Sequence, residues 1–300
     1  MLKKFLDYIE IRTKITSTFA FLMTVAYLLY QEQQIQWGLT LLFFAAMLTF
    51  DLTTTAINNY IDTKNNHQTL QFKRRTALMI IYVLFLIGAG LGLYLAYLTD
   101  VIVLLAGALC FLCGVFYTYG PVPISRMPLG EVLSGMFYGL LIPFIILYIN
   151  MPAGTYLTLA LSWETVNLSL MVMPILELIL FSVIPFCATA NIMLANNICD
   201  LEKDIAVKRH TLPYYIGRKA IDLFAGLYYL CYLVVIIMVA VRMISPICLL
   251  SLLTILPVQK NIKTFYKKQE KASTFMMAIK NYLLIMGSVT LVIFVSAAIH

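Results

Sequence analysis

Long apolar runs alternate with short polar segments along the whole of this sequence. A helix that crosses a bilayer needs roughly 20 mostly apolar residues. On that criterion the pattern predicts nine spans, at residues 15–30, 39–58, 77–98, 101–119, 132–149, 168–196, 221–241, 243–258 and 275–299. Pro246 and Pro257 trim the eighth, which at about 1.5 Å per residue barely reaches across the hydrocarbon. The first follows Lys3 and Lys4, but Asp7, Glu10, Arg12 and Lys14 intervene and no small-residue cleavage site follows. An uncleaved helix is expected there rather than a signal peptide.

The polar positions narrow the chemistry. Residues 58–66 read NNYIDTKNN and residues 196–204, 138 positions later, read NNICDLEKD, each at the end of an apolar run. The shared pattern is Asn-x3-Asp-x3-Asn/Asp. On a helix, a spacing of four aligns Asn58, Asp62 and Asn66 in one stripe and Asn196, Asp200 and Asp204 in another, with Glu202 on the far side. Ionisable groups this near a membrane are costly to keep without a task. One such segment reads as a helix end solvating a loop; two copies with matching spacing outweigh that reading. Oxygen donors with clustered carboxylates suit a hard cation, and Mg2+ typically combines a few carboxylates with substrate phosphates. A site for Mg2+ and a diphosphate is therefore expected, with Lys64, Arg74, Arg75, Lys208 and Arg209 available to the remaining phosphate oxygens. A carrier built from internal repeats is the rival class, although carrier sites usually lie near the midplane rather than at helix ends.

With 62% hydrophobic and 12% charged residues in 300 and a mean hydropathy of +0.90, a soluble domain is excluded. Orientation follows from the basic residues, which are retained in cytoplasmic loops. An inside amino terminus puts Lys3, Lys4, Arg12, Lys14, Lys64, Lys73, Arg74, Arg75, Arg126, Lys203, Lys208, Arg209, Arg218, Lys219 and the lysines from Lys260 to Lys280 on the cytoplasmic side. Only Arg242 of the 21 is left outside. Both Asn/Asp segments, and the active site they define, then face the cytoplasm, and the carboxyl terminus lies outside. The net charge of +7 follows from topology and anionic lipid, with no nucleic acid partner. Cys110 and Cys113 lie inside an apolar run and read as packing. His67, His210 and His300 have no partner at metal-ligand spacing, so no transition metal is expected.

The two segments resemble the UbiA superfamily of intramembrane aromatic prenyltransferases, whose aspartate-rich motifs follow the second and sixth helices. The likeness covers essentially the whole chain. Two stretches narrow it to the members that prenylate 1,4-dihydroxy-2-naphthoate: residues 117–131 (YTYGPVPISRMPLGE), and residues 196–217, where the second motif is followed by Lys-Arg-x-Thr-Leu-Pro and Gly. The resemblance implies an all-α fold, a polytopic membrane bundle of about nine transmembrane helices in a single domain. Two four-helix halves would occupy about 1–130 and 131–260, with an extra helix at 275–299. It implies Mg2+-dependent transfer of a polyprenyl group from polyprenyl diphosphate to an aromatic acceptor. For dihydroxynaphthoate this comes with decarboxylation to demethylmenaquinone, as in menaquinone biosynthesis; another aromatic acceptor stays open.

By that resemblance Asp62, Asp200 and Asp204 are the catalytic Mg2+ ligands, with Asn58 and Asn196 as neutral ligands or substrate hydrogen-bonders. Lys64, Arg74, Lys208 and Arg209 serve the diphosphate. Tyr117 and Tyr119 line the pocket of the allylic cation or simply pack, Arg126 meets the acceptor carboxylate, and Glu131 caps the fifth span. The sequence departs from the family at Asn59 and Asn66, where carboxylates are common, leaving Asp62 alone charged in its stripe. Asp51, two turns earlier, is expected to hydrogen-bond within the bundle rather than replace them. The prenyl tail stays in membrane lipid, since each buried CH2 contributes about 0.8 kcal/mol, and reaches the site between helices.

Overall fold

The computed structural model describes residues 1–65, 69–118 and 124–299, without the side chains at 62, 64, 65, 117 and 118. Its helices are α1 (Leu2–Tyr8), α2 (Ile15–Tyr30), α3 (Trp37–Asn65), α4 (Arg74–Leu98), α5 (Val101–Thr118), α6 (Gly130–Gly135), α7 (Ile142–Asn150), α8 (Val172–Cys199), α9 (Leu201–Ala206), α10 (Leu212–Ile216), α11 (Lys219–Ala240), α12 (Ile255–Lys267) and α13 (Met276–Ile299). A π-helical turn, Met136–Leu141, joins α6 to α7 without a break. The chain is thus a helical bundle, as the apolar pattern predicts.

Among the described residues, six helical segments are long and apolar enough to cross a membrane: Trp37–Ile61, Arg74–Leu98, Gly130–Asn150, Val172–Cys199, Lys219–Ala240 and Met276–Ile299. The other three predicted spans are helical as well. α2 has 16 residues, and α5, at 18 residues, follows the predicted fourth span as far as Thr118. The eighth is a 3-10 helix, Pro246–Thr254, that continues as α12 to Lys267. Pro257 does not end it: its fixed φ of about −65° is helical, and it falls at the junction where the 3-10 helix passes into α12. The sixth span is corrected too. It starts at Val172, and Leu168 belongs to an antiparallel hairpin of β1 (Leu157–Leu161) and β2 (Val166–Leu170).

The chain divides into two compact units. The first comprises Met1–Thr18 and Gln36–Ile124. α3 and α4 pack along each other, and α1 plugs into them through Tyr8, whose hydroxyl donates to the Ala56 carbonyl at 2.9 Å. Burial pushes the Tyr8 phenol well above its ordinary range, so it stays a donor. Nearby, buried Lys14 donates to the Asp51 carboxylate at 2.7 Å and to Thr55, while Ser17 donates to the other Asp51 oxygen at 2.8 Å. Asp51 is engaged within the bundle, as expected. Lys14, grouped by sequence with the loop lysines, is instead a buried partner of this carboxylate.

The second unit comprises Phe19–Ile35 and Ser125–His300. α8 is its spine, packed by α11, α6 with its π turn, and α13. Gly135 and Gly139, one helical turn apart, let the α6 segment approach α8 closely. A Cβ on Gly139 would lie 2.2 Å from the Phe186 backbone nitrogen, and one on Gly135 3.0 Å from the Phe186 ring. Small residues at this spacing are how membrane helices bring backbones together.

Candidate active site

The second polar segment sits where α8 ends. α8 stops at Cys199 and α9 starts at Leu201, so Asp200 is a corner between two helices. The backbone bonds nonetheless keep a helical spacing, Asp200 N–H to Asn196 C=O at 3.0 Å and Asp204 N–H to Asp200 C=O at 2.9 Å. The expected stripe is therefore bent at its middle residue. The bend separates the fates of its carboxylates: Asp200 is partly exposed and Asp204 is buried.

Asn196 and Asp200 aim their oxygens at one cation. Lys271, in the loop between α12 and α13, donates to Asn196 Oδ1 and to Asp200 Oδ2, the latter at 2.7 Å. Its ammonium also lies 4.8 Å from the Phe275 ring centre. Neighbouring Glu270 does not compete for it. The Lys268 ammonium at 2.7 Å and the Ser273 hydroxyl at 2.9 Å occupy that carboxylate, and the hydrogen bond from Lys268 holds it below the usual range. Lys271 is the residue that sequence reasoning missed, because it was grouped with the solvated lysines after Lys260.

Asp204 faces Arg209, with Nη1 3.8 Å from its carboxylate, while Arg209 Nε donates to the Ser125 carbonyl at 2.8 Å. Arg209 N–H closes onto Asp204 C=O at 2.8 Å and Lys208 N–H onto Ile205 C=O at 3.0 Å. This is a Schellman cap, which needs a left-handed residue. Lys208 supplies it at φ 58°, a position where Gly is usual. Its side chain is exposed. Arg126, also exposed, offers its carbonyl to His210 N–H at 3.1 Å, so Arg126, Arg209 and Asp204 are drawn into one corner. Glu131 lies in the first turn of α6, where a carboxylate favours the helix dipole. It is buried and accepts from Asn197 Nδ2 at 2.9 Å, tying α6 to α8 one residue from Asn196.

The first polar segment lies in the other unit, at the end of α3. Asn58 is half-buried. Asn59 donates to the Tyr8 carbonyl at 2.9 Å and to Glu10 at 3.1 Å. Arg74 donates to the Tyr60 carbonyl at 3.2 Å and lies over the Tyr60 ring at 5.0 Å. The side chains of Asp62, Lys64 and Tyr117, and the whole of Asn66 and Tyr119, lie outside the described residues. Among the described residues no three His, Cys, Asp or Glu side chains gather as a metal cluster. The donor set at the corner still suits a hard cation. An amide oxygen and a carboxylate oxygen converge on one positive centre, and oxygen-only ligation of that kind is what Mg2+ takes.

The UbiA prenyltransferase family matches residues 19–285. The chain belongs to this family. It is a multi-pass membrane prenyltransferase, and its relatives agree. The 1,4-dihydroxy-2-naphthoate octaprenyltransferase of Bacillus subtilis (strain 168) is 26% identical over 246 residues, 76% of this chain and 73% of that one. Among solved structures, the apo UbiA homologue of Aeropyrum pernix K1 superposes with a TM-score of 0.63 at 16% identity, covering 95% of this chain and 98% of its own. The Archaeoglobus fulgidus UbiA homologue bound to GPP and Mg2+ gives 0.62 at 13% identity, covering 98% and 99%. In this UbiA-family chain, the corner at Asp200 is where the second Asn/Asp segment leaves α8.

Proposed function

We propose that this prenyltransferase moves a polyprenyl group from polyprenyl diphosphate to 1,4-dihydroxy-2-naphthoate, with Mg2+ as cofactor. The observation that carries the acceptor is the likeness to the Bacillus subtilis octaprenyltransferase across 76% of this chain, and the stretches 117–131 and 196–217 support it. Asp200 and Asp204, with Asn196, would hold Mg2+. Asp62, with Asn58, is assigned the same task from its place in the first motif. The bound ion would neutralise negative charge on the departing diphosphate.

The chain's own residues would do the rest. Lys208, Arg209 and Lys271 are assigned as cationic donors to the diphosphate at the second motif, and Lys64 and Arg74 at the first. Such charges favour the state in which the bond between the allylic carbon and oxygen has broken and diphosphate leaves with the electron pair. Aromatic faces lower the energy of the allylic cation left behind, a role assigned to Tyr117 and Tyr119. The electron-rich ring then attacks at the carbon bearing the carboxylate. A carbon–carbon bond forms, carbon dioxide leaves, and its bonding pair restores the aromatic ring, giving the quinol of demethylmenaquinone. Arg126 is assigned to the acceptor carboxylate before it is lost.

The test supplies membranes containing the protein with Mg2+, a polyprenyl diphosphate and a panel of aromatic acids, and reads products by mass spectrometry. Dihydroxynaphthoate should give a prenylated product lacking the mass of carbon dioxide. A prenylated product from a different acid, with none from dihydroxynaphthoate, would overturn the acceptor. No product from any acid, together with Mg2+-independent solute uptake, would favour a carrier.

A further inference from the structure

Between α7 and α8 the hairpin divides its side chains cleanly by face. The register pairs Leu157 with Leu170, Leu159 with Leu168, and Leu161 with Val166; the alternate pairs are Thr158 with Ser169 and Ala160 with Asn167. Paired residues share a face and successive residues alternate. One face is therefore six aliphatic side chains, and the other is Thr, Ala, Asn and Ser. Leu161, Val166, Leu168 and Leu170 are each more than half exposed, and Trp163 at the turn is fully exposed.

An isolated two-stranded hairpin is marginal in water, and a uniform aliphatic face gains nothing there. Its covalent neighbours say what covers it. β1 starts shortly after α7 ends at Asn150, and a single residue, Met171, separates β2 from α8. Both neighbours end membrane-spanning segments, so the hairpin is held at the bilayer surface. Its exposed apolar surface continues along the chain through Met171, Val172, Met173, Leu176 and Ile179 of α8. The one charge between residues 151 and 171 is Glu164, in the turn. Tryptophan is the residue that settles at the boundary between headgroups and acyl chains.

We propose that this hairpin is an interfacial anchor, lying on the bilayer with its Leu/Val face and Trp163 in the headgroup–acyl boundary and its Thr/Asn/Ser face in water. Without basic residues it needs no anionic lipid. The chain has two tryptophans, Trp37 and Trp163, so Trp37→Phe isolates the reporter. In phosphatidylcholine vesicles its emission should be blue-shifted, and lipids brominated near the headgroup end of the chains should remove most of it. Lipids brominated deep in the chains, and aqueous iodide, should quench far less. Red-shifted emission quenched by iodide and untouched by brominated lipid would overturn the proposal. So would emission shielded from both quenchers that becomes iodide-accessible on dilution into excess lipid, which would mean a second copy covers the face. If Trp37→Phe fails to fold, the difference in quenching between the unaltered protein and Trp163→Phe gives the same reading.

Discussion

At Asp200 the Lys271 ammonium holds the carboxylate that the proposed function gives to a divalent ion with its diphosphate, so the two would compete for it. Lys271→Met should raise Mn2+ affinity measured by electron paramagnetic resonance without diphosphate, because the Asn196 and Asp200 oxygens are released. With Mg2+ present it should raise KM for the prenyl diphosphate by about 10- to 100-fold, a charge-assisted hydrogen bond contributing about 1.5–3 kcal/mol. An unchanged KM would remove Lys271 from the diphosphate site. Lys208 offers a second test, since its left-handed backbone costs about 1 kcal/mol that glycine avoids. Lys208→Gly should hold or raise the unfolding temperature while raising the same KM; a stabilised variant with unaltered KM would leave Lys208 as a cap alone. The doubled Asn/Asp spacing was legible because helical periodicity is local. Lys271 was not, because its contact with Asp200 joins positions 71 residues apart and nothing in its own segment marks it from neighbouring lysines.

Among the elements, the contact of the α6 segment with α8 sets the geometry of the second motif, since it places Glu131 against Asn197 beside Asn196. That contact depends on Gly139, where an added Cβ meets the backbone of Phe186 rather than a side chain free to rotate. Gly139→Ala should cost at least about 3 kcal/mol, the top of the usual overpacking range, read as a lowered unfolding temperature in detergent with loss of turnover. Gly226→Ala in α11 meets nothing within 4 Å and should be neutral or stabilising, so equal losses in both variants would refute the packing argument. The Gly-x3-Gly spacing stood in the sequence, but its partner Phe186 did not. The hairpin was legible in another period: Leu157, Leu159 and Leu161 alternate with Thr158 and Ala160. A search for runs long enough to cross a bilayer passes over such alternation and absorbs Leu168 into the next helix. The eighth span was misjudged because Pro257 was taken as a stop, whereas the chain arrives there already helical.

Across the whole molecule, the Lys271–Asp200 contact constrains how often the second unit crosses the bilayer. From Asp200 the chain runs through α11, whose 22 residues span about 33 Å. It must return to the starting side for Lys271 to reach Asp200 at 2.7 Å. The only segment available for the return is the 3-10 helix with α12, which at about 2.0 and 1.5 Å per residue extends about 38 Å in all. If α11 crosses, the weakest of the nine predicted spans would have to cross back. If α13 then leaves that side, the carboxyl terminus should lie opposite the Asp200 corner, and the distribution of basic residues predicts a cytoplasmic corner. Alkaline phosphatase fused after residue 300 or within residues 242–245 should be active outside the cell, while fusion within residues 206–210 should be silent and a green fluorescent reporter there bright. A phosphatase that stays silent within residues 242–245 would mean that α11 does not cross. One that is active there but silent after residue 300 would mean that α13 does not leave the side of the site, or that the segment from Pro246 to Lys267 fails to return.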